Sequence, residues 1–235
     1  MRGNPRAFSV VGVPSVEIEQ QRAVLRHRSA LGKSLRRVAS QGRSYLLQQG
    51  VRVTGAWWIA RRWETLAQTL PEWLCELLAD FQGQAVQLQG QLKAVGQKIA
   101  RLAEAKNIQA PRGIGALTWL TLLLEVGDWA RFKNRREVGS YSGLCPGESS
   151  SGERRREGSI DKRGNRRVRH ALQEAVWRLL RWQPDYPPVV RVRMASGARA
   201  RKRAAVAAAR RLAIDLWRLA THQTSAERVG LAAAV

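Results

Sequence analysis

Residues 71–106 read PEWLCELLADFQGQAVQLQGQLKAVGQKIARLAEAK, and this stretch decides the fold class. Pro71 opens it as a residue suited to a helix start. Leu74, Leu77, Leu78, Phe81, Leu88, Leu92, Val95, Ile99 and Leu102 then recur at near-heptad spacing, the period of one helix face. Gly83, Gly90 and Gly96 each weaken that helix by roughly 1 kcal/mol relative to Ala. A helix so interrupted needs a partner surface. The expected partner is the preceding helix, in a long helical hairpin, or a second copy in a coiled-coil contact.

Working back toward the N-terminus, Pro14, Ser15, Glu17 and Glu19 form a helix-start pattern. Val24, Leu31, Leu35, Val38 and Leu46 continue it at helical spacing, and Gly50 suits the stop. Arginines cover much of the other surface, a face that solvates itself or meets phosphate. Residues 1–13 read as a disordered lead-in. Trp57, Trp58 and Trp63 can stack on bases, but core packing is the commoner fate of such residues.

Working forward, composition changes at residues 107–111, the expected boundary of a second unit. PRGIGALTWLTLLLEVGD follows at 111–128. Gly113 and Gly115 ahead of an apolar helix match a helix-hairpin-helix-like element. There glycine lets the backbone approach a phosphate and the helix offers free N–H groups. An ordinary tight turn before a buried helix fits the same letters. A short helix is expected over 134–142, another from Asn165 to about Pro184, and a last one over 199–222; 189–198 is ambiguous. The fold class is mainly α: a basic helical region over 14–106, a compact helical domain over 107–222 with a Ser/Arg-rich loop or short hairpin, and a flexible tail over 223–235.

A hydrophobic fraction of 44% in 235 residues is enough for a real core. The 41 Lys and Arg against 18 Asp and Glu leave a net charge of +23. That favours a polyanionic partner, nucleic acid before an acidic membrane surface, because neutralised phosphates release counterions. Two cysteines, Cys75 and Cys145, are too few for a disulfide framework and suit a reducing, cytoplasmic compartment. No apolar run is long enough for a transmembrane helix. His27, His170 and His222 lack ligand partners at metal spacing. There is no phosphate-binding Walker loop and no sequence signal for a Ser-His-Asp triad.

The chemistry is concentrated in residues 139–170, GSYSGLCPGESSSGERRREGSIDKRGNRRVRH. Ser149, Ser150 and Ser151 are closed by Gly152. From Arg154 to Arg169 eight Lys or Arg residues face two acids, Glu157 and Asp161. A serine hydroxyl attacks only when its proton is removed and the charge developing on the electrophile is stabilised. On a phosphodiester, Arg and Lys supply that stabilisation. A flexible turn beside a phosphate-positioning face is the plainer reading of the same residues.

From Pro111 to Leu172 the chain resembles transposases of the insertion-sequence 110 group, also labelled the 116/110/902 group. It carries their P-x-G-I-G turn, E-x-G-D, R-F, Y-x-G-L-x-P, serine-glycine pair and I-x-K-R-G-[ND] followed by Arg. KRAAVAAARRLAIDLWRL at 202–219 is similar to the family's C-terminal helix. The resemblance is specific over 108–222 and weaker over 13–106. It implies DNA transposition by a site-specific recombinase whose C-terminal domain supplies a catalytic serine. The serine just before the glycine matches Ser151, with Ser150 as the fallback. Arg154, Arg155, Lys162, Arg163 and Arg166 would bind phosphate or nucleic acid, and Gly113 and Gly115 would place N–H groups near a phosphate.

The family's other active site is implied to be an N-terminal RuvC-like domain whose four carboxylates bind magnesium. A guide RNA and a homo-oligomer joined through the long helices are further implied partners. Those carboxylates belong upstream of the segment that begins near Val13. The expectation is therefore an N-terminally truncated member with no cofactor of its own, inactive alone. The rival expectation is a non-catalytic DNA- or RNA-binding remnant, or one that interferes with a full-length copy.

Overall fold

The computed structural model describes residues 13–106, 110–151 and 154–232; for 148–151 and 154–157 it describes the backbone alone. Apart from Val13, the expected lead-in lies outside the described residues. Nine α-helices and one two-stranded antiparallel sheet make up the described chain, so the fold is mainly α. It divides into two compact units: residues 1–22 with 106–235, and residues 23–105.

The unit of residues 23–105 holds most of α1 (Val16–Gln48), then α2 (Ala60–Ala67) and α3 (Glu72–Ala105). Ser15 accepts a hydrogen bond from the Ile18 N–H at 3.3 Å, which satisfies a donor at the start of α1. Gly50, at φ 76°, lets the chain turn out of it. Leu46, Trp57, Leu74 and Leu78 form the core, with Trp58, Trp63 and Phe81 packed around it. Trp57 is 1% exposed, lies over Gly42, and donates from its indole to the Ala39 carbonyl at 3.0 Å. These aromatics are structural at this site: Trp58 meets Trp57 edge-on and Trp63 lies tilted against it. The segment 51–70 carries the eight-residue α2. None of its residues is fully buried, but Trp63 and Leu66, three apart, pack half-buried against the core.

The other unit is built around α6 (Arg166–Trp182). α4 (Ala116–Val126), α7 (Pro187–Met194) and α8 (Ala198–Ala220) pack on it, and α5 (Arg135–Ser142) packs mainly on α8. Leu120, Leu122, Leu172, Val176, Leu179, Val189 and Leu212 are fully buried. Arg22, early in α1, belongs here and donates to the Leu124 carbonyl at 2.8 Å. The ambiguous stretch 189–198 resolves into α7 and a turn. Pro187 and Pro188 occupy its first positions, where a missing N–H costs nothing, so they start a helix rather than end one.

Two described residues of the expected flexible tail are packed into the core. Ser225 caps the short α9 (Ala226–Val229), and Val229 and Leu231 are buried in the core. Gln183 ties this end to the turn before α4: its side-chain amide donates to the Arg112 carbonyl at 2.7 Å and accepts from Ala232 at 2.8 Å.

Tyr186 and Asp215 are both 1% exposed, and the phenol donates to the carboxylate at 2.8 Å. Arg211 approaches that carboxylate at 3.0 Å. Burial first, then the adjoining carboxylate, pushes the Tyr186 phenol far above its ordinary value of 10.0. The folded protein thus keeps a proton that the unfolded chain loses near pH 10. Stability present below that pH is lost as pH rises through it, at up to about 1.4 kcal/mol per pH unit. Tyr186→Phe is expected to cost roughly 1.5–3 kcal/mol at neutral pH and to remove that alkaline slope. Urea unfolding at about pH 9 and about pH 11 checks both.

Candidate functional site: a serine-arginine hairpin and its root

β1 (Pro146–Ser151) and β2 (Arg154–Ile160) form an antiparallel hairpin where the sequence allowed a loop or a short hairpin. The register pairs Ser149 with Arg156, Ser150 with Arg155 and Ser151 with Arg154. Three serines therefore stand opposite three arginines, one to one. The side chains of Ser150, Ser151, Arg154 and Arg155 lie outside the described residues. Gly152, beside Ser151, lies wholly outside them.

The root of the hairpin is described in full. Gly143, at φ 63°, ends α5 and turns the chain into β1. The returning strand is tied back by N–H donors: Asp161 to the Cys145 carbonyl at 2.9 Å, Lys162 to Gly143 at 3.3 Å, and Asn165 to Tyr141 at 2.6 Å. Lys162 itself sits at φ 59°, a left-handed conformation uncommon for a residue with a Cβ. Gly164 packs directly on the end of α5. A Cβ there would fall 2.3 Å from the Gly143 nitrogen and 2.3 Å from the Tyr141 carbonyl oxygen. Arg169 donates to the Ser142 carbonyl at 3.0 Å from the other side.

Below the root lies a buried carboxylate. Glu125, 5% exposed at the end of α4, accepts from the Asn165 amide at 3.1 Å and pairs with Arg167 at 3.6 Å. Tyr141 donates to the Glu125 backbone carbonyl at 2.5 Å and accepts from the same Asn165 amide at 3.2 Å. Asn165 also caps α6, its side-chain oxygen accepting from the N–H groups of Arg167 and Val168. One asparagine thus joins α4, α5 and α6 beneath the hairpin. A buried carboxylate is tolerated when charge and hydrogen bonds compensate it, and this one has both.

The sequence-derived cations at the root are exposed: Lys162, Arg163 and Arg166. Gly113 and Gly115 are elsewhere, in the turn leading into α4. Gly113 is at φ 87° and packs on Trp182, where an added Cβ would lie 2.4 Å from the Trp Cβ. Both facts account for glycine at 113. Gly115 is open, with nothing within 4 Å of an added Cβ, and starts α4 without a side-chain cap. A cleft of about 470 Å³ lies here, lined by residues 110–115 with Arg178 and Trp182. Since Trp182 ends α6 and Arg166 begins it, the two candidate regions are separated by the helix's 17 residues. At about 1.5 Å per residue that is roughly 25 Å.

Two aromatic residues were not singled out from sequence. Trp177 and Trp182 are 42% and 43% exposed on α6. Trp177 falls off the Val168, Leu172, Val176, Leu179 stripe, whereas Trp182, three residues after Leu179, continues it to the end of the helix.

Among the described residues no group of three or more His, Cys, Asp and Glu could hold a metal ion. The buried carboxylates Glu125 and Asp215 are already engaged by arginine and by hydrogen-bond donors. The magnesium that the resemblance implies was placed on carboxylates upstream of Val13, not on these residues, and no step is derived through it. No described helix is long and apolar enough to cross a membrane.

Residues 105–191 match the profile of the Transposase IS116/IS110/IS902 family. The chain is 30% identical over 185 residues to y4qE, a transposase-named protein of Sinorhizobium fredii, covering 77% of this chain and 44% of the relative. A second such protein of that organism, y4rJ, is 30% identical over 245 residues, covering 92% and 61%. The transposase for insertion sequence element IS1328 of Yersinia enterocolitica is 26% identical over 166 residues, covering 68% and 50%. The chain spans about half the length of these relatives.

Proposed function

We propose, from the premise that this chain belongs to the IS116/IS110/IS902 transposase family, that it acts on DNA through the hairpin of residues 146–160. Ser151 is the nucleophile of a DNA-transposition reaction. The observation that carries this reading is the register, which sets the serine run opposite the arginine run. In the step itself the Ser151 Oγ bonds to the phosphorus of a phosphodiester and the bond from phosphorus to one sugar oxygen breaks. The serine proton ends on that leaving oxygen. One strand end is then joined to the protein and the other carries a free hydroxyl, which can reverse the step or be replaced by another strand's hydroxyl. Arg154 and Arg155 stabilise the charge on the non-bridging oxygens, and Lys162, Arg163 and Arg166 hold the flanking phosphates.

The turn at Gly113 and Gly115 is a second phosphate contact in this reading, and its likeness to a helix-hairpin-helix element is part of the same proposal. Replacing Lys162, Arg163 and Arg166 together by alanine tests the binding half. Each lost phosphate contact should flatten the dependence of log affinity on log salt by about 0.9, so the triple variant should lose up to about 2.7. An unchanged slope in a titration of duplex DNA against salt would remove these residues from the interface.

A further inference from the structure

We propose that the cavity between α7, α8 and α9 binds a nucleotide by its terminal phosphate, a phosphomonoester held by Arg191, Arg211 and Arg228. The site goes beyond the hairpin reading and does not rest on it. It shares no residue with the hairpin, its root or the turn before α4.

The cavity follows from helix spacing and residue size. α8 contributes Ala204, Ala208, Arg211 and Asp215, each three or four residues from the next and so on one face. Pro188 and Arg191 share a face of α7 in the same way. The small alanine side chains leave room between the two helices. Gly230, at φ 77°, lets the chain after α9 turn close against the Pro187 ring. The enclosed space is about 410 Å³, within the range of about 300–1,000 Å³ typical of small-ligand sites.

Its charge selects the ligand. Three arginines line it against a single carboxylate, Asp215. Among the described residues, the side chains of Arg191 and Arg228 meet no acid within ion-pair distance. Two positive charges are thus left uncompensated. A phosphomonoester carries about −1.5 to −2 at neutral pH, whereas a backbone phosphodiester carries only about −1. Guanidinium forks match phosphate oxygens in geometry as well as charge. The apolar walls, which include Pro188, Ala208 and Val229, take the sugar and base behind the phosphate.

The buried polar group beneath the cavity has a task in this site. Asp215 is 1% exposed, while the Arg211 side chain is 54% exposed. The Arg211 Nε lies 3.0 Å from one Asp215 oxygen and 3.2 Å from the other, which also accepts from Tyr186. Well-packed apolar residues often replace such a buried ionic group without loss of stability. What Asp215 adds is aim: it holds Arg211 by Nε and leaves the terminal N–H groups for the cavity. Asp215 is a positioning residue, and Tyr186 fixes it in turn.

The test uses the whole chain, calorimetry at one ionic strength, and adenosine monophosphate as the probe. Wild type should bind one equivalent, at least about tenfold more tightly than adenosine, inorganic phosphate or the cyclic diester. Arg191→Gln with Arg228→Gln, both at exposed positions, should weaken binding by about tenfold or more. Replacing Lys162, Arg163 and Arg166 together by alanine should leave it within about twofold. Asp215→Asn gives the positioning readout. It makes the cavity more positive, so charge alone predicts tighter binding; loss of the Arg211 anchor predicts binding weaker by at least about threefold. Unfolding with wild-type cooperativity shows that each variant is folded, and the glutamine pair decides the site by itself. One single-stranded oligonucleotide, with and without a terminal phosphate, then separates the sources. A preference for the phosphorylated form that the glutamine pair loses marks a strand end; no preference marks a free nucleotide.

No saturable binding by wild type, equal affinity for adenosine or inorganic phosphate, or undiminished affinity in the glutamine pair would overturn the site. So would equal losses in the glutamine pair and the triple alanine variant, because the nucleotide would then meet general positive charge alone. Tighter binding by Asp215→Asn would overturn the positioning role. The hairpin reading survives each of these results, and an unchanged salt slope on duplex DNA leaves this site standing.

Discussion

Ser151→Ala is expected to abolish strand transfer, by at least roughly a thousandfold, and to leave DNA affinity within about twofold. The asymmetry follows from what a serine does at this position. Its hydroxyl contributes one weak hydrogen bond to binding, whereas covalent catalysis has no route without it. The register places Ser151 opposite Arg154, at the end of the paired strands nearest the tip. Substitution there removes no strand pairing and leaves the root of the hairpin untouched. Because the chain spans about half the length of its relatives, the assay pairs it with a full-length relative whose own matching serine is alanine. Transfer then reports on the serine of this chain. Undiminished transfer by the Ser151→Ala variant would remove Ser151 as nucleophile.

Gly164→Ala carries the second large effect, and it acts on structure. An alanine methyl at 164 would meet three backbone atoms at once: the Gly143 nitrogen and the Tyr141 and Ser140 carbonyl oxygens, all within 2.4 Å. Flexible side chains can move away from such a clash; backbone fixed by helix α5 cannot. The segment 160–165 must therefore lift off the end of α5. Lifting it breaks the 2.6 Å hydrogen bond from Asn165 to Tyr141 and moves the Asn165 amide away from buried Glu125. Overpacking and the loss of a hydrogen bond to a buried carboxylate together should cost roughly 3 kcal/mol or more. Urea unfolding reads that loss directly. The same substitution should lower strand transfer even in the surviving folded fraction, because the hairpin is no longer anchored. Alanine at Gly115, which faces open space and has φ −70°, is the control and should be nearly neutral for stability.

How much of this was legible in the letters varies with the physics behind each element. The long helices were, because α1, α3, α4, α6 and α8 each bury one stripe, and a stripe has a period. Even their ends were marked, by Ser15 and Gly50 for α1 and by Asn165 for α6. α2 half-buries Trp63 and Leu66, a stripe too short to read as a period. α7 was hidden behind Pro187 and Pro188, which terminate helices more visibly than they begin them. The packing of Val229 and Leu231 was invisible because two apolar residues after a turn have no period.

The candidate site divides in the same way. Glu125, Tyr141, Gly143, Gly164 and Asn165 were readable as a string of landmarks. The reason for that string lies in contacts that join residues 40 apart, as between Asn165 and Glu125. Spacing along the chain does not encode such a contact. At Gly113 the sequence left two readings open, an approach to phosphate and an ordinary tight turn; φ 87° and the Trp182 side chain require glycine there under either. Trp177 was passed over because it lies off the stripe of α6; Trp182 lies on it, as its last residue.

The central claim is that the hairpin of residues 146–160 presents a serine that becomes covalently joined to DNA. Its most direct test is capture of that intermediate. The chain is incubated with the serine-deficient full-length relative and a labelled suicide substrate, in which the strand released by cleavage is too short to remain bound. Denaturing electrophoresis should show label migrating with this chain, and mass spectrometry should place the phosphate on Ser151; the Ser151→Ala variant should show none. Label that never joins the chain, or that joins the Ser151→Ala variant equally well, would contradict the account.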